Sequence, residues 1–104
     1  MYEYRATVIN VVDGDTIKVL VDLGFFVFIR KSLRLARINA PEMASIEGKT
    51  SKEYLTVLLP VNGKVVFKSK SIDRYGRSIA EVLMADKNIS DIMVGAGMAI
   101  YQKY

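Results

Sequence analysis

The chain has 104 residues, about half of them apolar, with 15 Lys and Arg against 11 Asp and Glu for a formal charge of +4. That length suits one domain spanning residues 1–104, and the apolar content excludes a disordered chain. It contains no cysteine and no histidine, which excludes disulfides, thiol nucleophiles and Cys-bound zinc and removes the commonest general base and metal ligand. Any catalysis must run on carboxylates, Arg, Lys, Tyr, hydroxyls, backbone groups and a hard, oxygen-preferring cation.

The basic balance suits a polyanionic partner, although composition alone is equally compatible with a charge kept for solubility. No apolar run approaches the ~20 residues of a membrane helix. Met1-Tyr2-Glu3-Tyr4-Arg5 leads directly into β-type sequence, so no signal peptide is expected.

In chain order, Ala6 to Val12 is rich in β-branched residues and reads as a strand ended by Asp13-Gly14-Asp15. Thr16 to Asp22 alternates Ile17, Val19 and Val21 against Lys18, Leu20 and Asp22, a second strand, and Leu23-Gly24 turns the chain. Phe25 to Ile38 is extended, with an expected bulge or bend at Arg30-Lys31-Ser32. After Pro41 the period changes. Thr50 and Glu53 fit a capping box, and Tyr54, Leu55, Leu58 and Leu59 fall on one helical face. Pro60 and Asn62-Gly63 stop that helix. Val65 to Lys70 and Ser78 to Met84 read as the fourth and fifth strands. Asn88 or Ser90 can cap a short helix through Val94, closed by Gly95 or Gly97. This order predicts a mainly β fold with helices: a five-stranded OB barrel, one helix between strands three and four and a short one after strand five. A split α+β sandwich is the alternative.

Three polar clusters interrupt this pattern. Asp13-Gly14-Asp15-Thr16 reads as a tight turn or as a metal site, because two carboxylates two residues apart can share a pocket and repel unless a cation or Arg is near. In Arg34-Leu35-Ala36-Arg37-Ile38-Asn39-Ala40-Pro41-Glu42, Arg34 and Arg37 fall on opposite faces. Arg34 shares the otherwise apolar side with Ala36 and Ile38, so it needs a partner, either a structural carboxylate or a ligand. Asn39 and Glu42 place oxygen ligands or acid–base groups at a strand end. Asp73-Arg74-Tyr75-Gly76-Arg77 is a charged hairpin loop or a set of phosphate and base contacts.

Taken in order, DGDT, R-L-x-x-I-N-A-P-E and D-R-Y-G-R-x-I-A, with the trailing Gly97-Met98-Ala99 and Tyr101, resemble the staphylococcal nuclease-like family over Ala6 to Tyr101. The resemblance implies an OB barrel and calcium-dependent hydrolysis of DNA and RNA that leaves 3′-phosphate ends. It further implies Asp15 as a metal ligand with Asp13 supporting the metal shell, and the Ala40 carbonyl as another ligand. Glu42 would orient or deprotonate the attacking water, and Arg34 and Arg77 would clamp the phosphate. Arg74, Tyr75 and Tyr101 would contact the nucleotide. The chemistry needs such residues: a cation and two guanidinium forks neutralise charge gathering on the phosphorus oxygens during in-line attack.

Two departures stand out. Asn39 occupies a position where the family usually carries Asp, so calcium binding is expected to be weaker. Larger members continue into a further C-terminal helix, whereas this chain stops at Tyr104, so apolar residues are expected to be exposed or covered in a weak dimer. The localisation expected is intracellular, phage-encoded or a processed secreted form. The alternative to the nuclease is a non-catalytic OB module that binds nucleic acid or protein.

Overall fold

A computed structural model describes residues 2–102. The chain runs β1 (Glu3–Asp13), β2 (Thr16–Asp22), β3 (Phe28–Leu35), β4 (Ile38–Asn39), α1 (Ile46–Leu58), β5 (Lys64–Ile72), β6 (Ser78–Met84), β7 (Lys87–Asn88), α2 (Ile89–Gly95) and β8 (Ile100–Tyr101). Antiparallel pairing orders the large sheet β3-β2-β1-β5-β6-β7. A parallel β3–β6 pairing, with Leu33 opposite Ser78 and Leu35 opposite Ala80, closes five strands into a barrel. The OB arrangement expected from element order is the one formed, with α1 between the third and fourth barrel strands and α2 after the fifth.

Alternation explains the barrel core. Ile17, Val19 and Val21 on β2, Leu33 and Leu35 on β3, Val65 and Phe67 on β5, and Ala80 and Val82 on β6 are all buried in one cluster. Leu55 from α1, Leu59 at its C-terminal cap, and Ile89 and Met93 from α2 extend it. Burying a Leu or Ile side chain in this way contributes about 1.5–3 kcal/mol each, so the charged residues can be left to other work.

Three local expectations are corrected. The cap of α1 is Ser45, whose Oγ accepts from the Gly48 N–H at 3.0 Å, and the helix starts at Ile46. The Thr50–Glu53 capping box does not form; Thr50 lies inside the helix and its hydroxyl donates to the Ile46 carbonyl. Propensity placed the start too late because a mid-helix Ser-Thr pair mimics a cap.

The second correction concerns β3, which runs unbroken through Arg30-Lys31-Ser32 in register with β2. The breaks fall on either side instead, at Phe25 and Phe26 and at Arg37, all three with left-handed backbone. The third follows from it. β3 sends Leu33 and Leu35 into the core and Arg34 to the outer face, and the period is interrupted at Arg37, so Arg34 and Ile38 are not on one unbroken strand face.

For α2, Asn88 is the cap, accepting from the Asp91 N–H. Gly97 follows at φ +75°. The Gly97 N–H donates to the Val94 carbonyl and the Met98 N–H to the Met93 carbonyl, a Schellman closure that only a left-handed residue permits.

Candidate functional site

The site grows from the β1–β2 turn. Gly14 and Asp15 form the turn, while Asp13 pairs with Thr16 across it. The turn is held against the rest of the protein by contact, since a Cβ on Gly14 would lie 2.7 Å from Ala40 Cβ and collide with the Ser51 hydroxyl. Ser51 sits on α1 and donates to the Met98 carbonyl, so this glycine lets the turn, the helix and the segment after α2 meet.

Asp15 is buried and shared among three elements. Its Oδ2 accepts from the Ala40 N–H at 2.9 Å and lies 3.2 Å from Arg34 Nη1, and its Oδ1 accepts from the Thr16 hydroxyl at 3.2 Å. Arg34 is brought there by register, because Thr16 and Arg34 are cross-strand partners in β2–β3. Its guanidinium also donates to the Leu35 carbonyl at 3.2 Å and lies 3.4 Å from Asn39 Oδ1. Burial first, then the hydrogen bond shared with Asp13, pushes the Asp15 carboxyl up to about 6, against the opposing pull of the Ala40 N–H and Arg34. Burial works against ionisation of Asp13 too, but hydrogen bonds from Asp15 and Thr16 and the Arg34 charge hold it below the ordinary aspartate range. The two carboxylates behave as a pair in which one side carries the strain.

Arg77 arrives from the loop between β5 and β6. Its Nη1 donates to Thr16 Oγ1 at 3.3 Å, and its Nε pairs with Asp73 Oδ2 at 2.7 Å. Asp73 also accepts from the Tyr75 and Arg77 N–H groups, so the loop is a tight, self-bonded hairpin turn as well as a carrier of Arg77. Arg77 and Arg74 both lie over the exposed Tyr75 ring, at 5.3 and 5.0 Å from its centroid. Asp15, Thr16, Arg34, Asn39, Ala40 and Arg77 therefore meet, with Tyr75 and Arg74 at the rim. Thr16 is the member that sequence reasoning quoted but gave no role; its position directly after the acidic turn was the available signal.

Glu42 is placed differently. Its carbonyl accepts from the Ser45 N–H and hydroxyl, which fixes the loop entering α1. Gly48 packs so closely on that carbonyl that a Cβ there would overlap it. The Glu42 side chain points to solvent, and among the described residues its carboxylate makes no hydrogen bond or ion pair.

Tyr101 belongs to a neighbouring cluster. Arg37 donates through Nε to Glu81 Oε2 at 2.7 Å and through Nη1 to Asp91 Oδ1 at 3.0 Å, and the Tyr101 hydroxyl donates to the same Asp91 oxygen at 2.8 Å. Strand β8 pairs with β4, Ile38 opposite Tyr101, so this tyrosine borders the strand that carries Asn39. Beside it lies a groove of about 520 Å³ lined by Ala36, Arg37, Lys70, Ile79 and Tyr101, among others. Ile79 is the β6 partner of Arg34, so the groove adjoins the site.

Among the described residues no group of three or more His, Cys, Asp or Glu side chains is arranged to hold a metal ion. The local donor set is nonetheless all oxygen: the Asp13–Asp15 pair with the Asn39 amide oxygen nearby. Burial, more than the neighbouring Asp13 charge, opposes ionisation of Asp15, and a cation would favour the ionised form, so the residues present fit a hard divalent ion such as calcium. Among the described residues no helix is long and apolar enough to cross a membrane.

The barrel thus brings two guanidinium groups, one from β3 and one from the β5–β6 loop, to one acidic turn. Residues 32–104 match the family model for staphylococcal nuclease homologues. The chain is 34% identical over 111 aligned residues to a micrococcal nuclease of Shigella flexneri, covering 98% of this chain and 60% of that protein. It is 37% identical over 107 residues to an uncharacterized endonuclease of Escherichia coli O157:H7, covering 98% and 64%. An uncharacterized endonuclease of Haemophilus influenzae is 36% identical over 98 residues, covering 93% and 52%. The chain belongs to the staphylococcal nuclease homologue family. It spans between about half and two thirds of the length of these relatives.

Proposed function

We propose that this chain is a calcium-dependent nuclease that hydrolyses phosphodiester bonds of DNA and RNA and leaves 3′-phosphate ends. The observation that carries the reading is the meeting of Arg34 and Arg77 on the Asp15–Thr16 step. Two permanently charged, planar donors from different segments can grip adjacent oxygens of one phosphate. The family membership and the names of the relatives support the same class of reaction.

In this reading Asp13, Asp15, the Asn39 amide and the Ala40 carbonyl hold calcium. Bound there, calcium supplies charge neutralisation at the scissile phosphate. Arg34 and Arg77 hold the phosphate and stabilise charge as it builds on the phosphorus oxygens. Glu42, on the solvent side, orients the attacking water or takes its proton when substrate is bound; catalytic contacts are often looser before substrate binds. Arg74, Tyr75 and Tyr101 contact the nucleotide, with Tyr101 lining the groove beside Arg37.

The exposed Glu42 carboxylate and the absence of a third carboxylate from the pair favour a second reading, a non-catalytic OB module for nucleic acid. Plasmid and single-stranded nucleic acid incubated with calcium, and then with a chelator, separate the two. Chelator-sensitive cleavage that disappears in Glu42→Gln and Arg77→Ala supports the enzyme. Binding without cleavage supports the module.

A further inference from the structure

Nothing in the site accounts for the β2–β3 tip. Leu23-Gly24-Phe25-Phe26-Val27 turns the hairpin with Gly24, Phe25 and Phe26 all at positive φ, 80°, 53° and 60°. The turn is held by Leu23 N–H to Val27 O and Val27 N–H to Gly24 O, both 2.9 Å, and by Gly24 N–H to the Asp22 carboxylate at 2.8 Å. Phe25 and Phe26 are 98% and 97% exposed. Left-handed backbone is unfavourable for bulky residues, and exposed phenyl rings bury nothing. Two such residues at a well-bonded tip therefore do no work for folding, which points to an external partner.

The strand register shows where that partner would run. Thr16 and Arg34, Lys18 and Ser32, Leu20 and Arg30, and Asp22 and Phe28 are successive partners on the outer face of β2–β3, alternating along β2 with the buried Ile17, Val19 and Val21. One continuous face thus begins at the candidate site and ends at the aromatic tip. Midway lies a shallow depression lined by Ile9, Asn10, Lys18, Arg30, Lys31 and Ser32: three cations, an amide and a hydroxyl, with no carboxylate. The one carboxylate farther along, Asp22, caps the turn. Thr16 to Asp22 covers about 20 Å at ~3.3 Å per residue, long enough for several nucleotides of a single strand.

We propose that this face is a track for the polynucleotide beyond the scissile bond, with Lys18 and Arg30 taking backbone phosphates and Phe25 and Phe26 stacking on bases at its far end. It rests on the nuclease reading and extends it: the protein would prefer chains long enough to span site and tip. Cationic side chains with interleaved aromatics are what sequence-tolerant binding of single strands needs.

The test measures anisotropy of a labelled single-stranded 20-mer in chelator, and separately calcium-dependent cleavage of the 20-mer and of a dinucleotide. Phe25→Ser with Phe26→Ser is expected to weaken 20-mer binding about 5–100-fold. Phe25→Tyr with Phe26→Tyr should retain it, and covers the case in which the serine pair fails to fold. Lys18→Ala and Arg30→Ala should each flatten the salt dependence of 20-mer affinity by about 0.7 in log–log slope. Dinucleotide cleavage should be unchanged in all of these. Unaltered 20-mer affinity and salt slope in the variants would overturn the track. So would Phe variants that keep 20-mer affinity but lose co-sedimentation with phosphatidylserine vesicles, which would make the tip a membrane anchor. Failure of the unsubstituted chain to cut either substrate counts against the nuclease reading alone, and the binding arm still decides the track.

Discussion

Arg34 and Arg77 on one side, and Arg37 on the other, show how differently the same side chain is used within one small barrel. Arg34 is buried against Asp15, each side chain 10% exposed, and its carboxylate partner is driven up to about 6. Three residues on, Arg37 is 38% exposed and grips Glu81 through two nitrogens. Burial opposes ionisation of Glu81, but the hydrogen bonds from Arg37, Asn88 and Lys70 outweigh it and bring the group down to about 2. One cluster relaxes its carboxylate and the other strains it. A relaxed ion pair is a stability device, whereas a carboxylate whose ionisation is opposed by burial is a candidate for a ligand.

The sharpest way to break that contrast is to delete one member from each cluster. Arg34→Ala is expected to lower the cleavage rate about 100–1,000-fold, the usual cost of one charge-stabilising donor. Glu81→Gln should leave the rate of the folded protein within a few-fold. Equal losses of activity would erase the distinction.

Calcium should affect the strained cluster alone. Because the folded state raises the Asp15 pKa, that group favours folding below about pH 3.8 and the contribution is lost as pH rises through about 6. At neutral pH the buried, ionised Asp15 is a penalty that a bound cation would reduce. Calcium at a hundredfold over its Kd is expected to add about 2.7 kcal/mol, or roughly 10–20 °C in Tm. The gain should shrink as pH falls below 6 and protons compete for Asp15. A calcium-independent Tm at pH 7 would contradict this.

The relaxed cluster has the opposite pH signature. The lowered Glu81 pKa gives stability that is present above about 4.5 and lost as pH falls toward 2. Allowing for solvent around the half-exposed Arg37, Glu81→Gln should cost about 1–2 kcal/mol at pH 7, read as a lower Tm. The gap between variant and parent should close on acidification through that window. The smallest effect is expected from Asn39→Asp, which restores a charge beside Arg34 and should tighten calcium binding several-fold by titration calorimetry. Unchanged or weaker affinity would remove Asn39 from the metal set.

The sequence made the barrel legible because its strands alternate cleanly: β2 and β6 lie where the β-branched alternation begins and ends. Helix α1 was found by its apolar face, but its start was misplaced because Thr50 and Glu53 imitate a capping box inside the helix, whereas the cap is the Ser45 hydroxyl five residues earlier. The site was legible as three separate clusters. That Arg34 and Arg77 would converge on the adjacent Asp15 and Thr16 depends on the parallel β3–β6 closure, a long-range pairing with no local signal. The Asp-Gly turn was readable as a turn, whereas the reason for its glycine, contact with Ala40 and Ser51, exists only after folding. Arg37 was separable from Arg34 by strand period, yet its partners Glu81 and Asp91 lie more than forty residues away.

The most direct measurement is a double-mutant cycle on kcat/KM for cleavage of single-stranded DNA in calcium, using Arg34→Ala, Arg77→Ala and the double variant. Guanidinium groups that grip one phosphate act as a unit, so the combined loss should fall well short of the product of the single losses. Losses that multiply cleanly would mean the two arginines work in separate places, and the shared phosphate site would have to be given up.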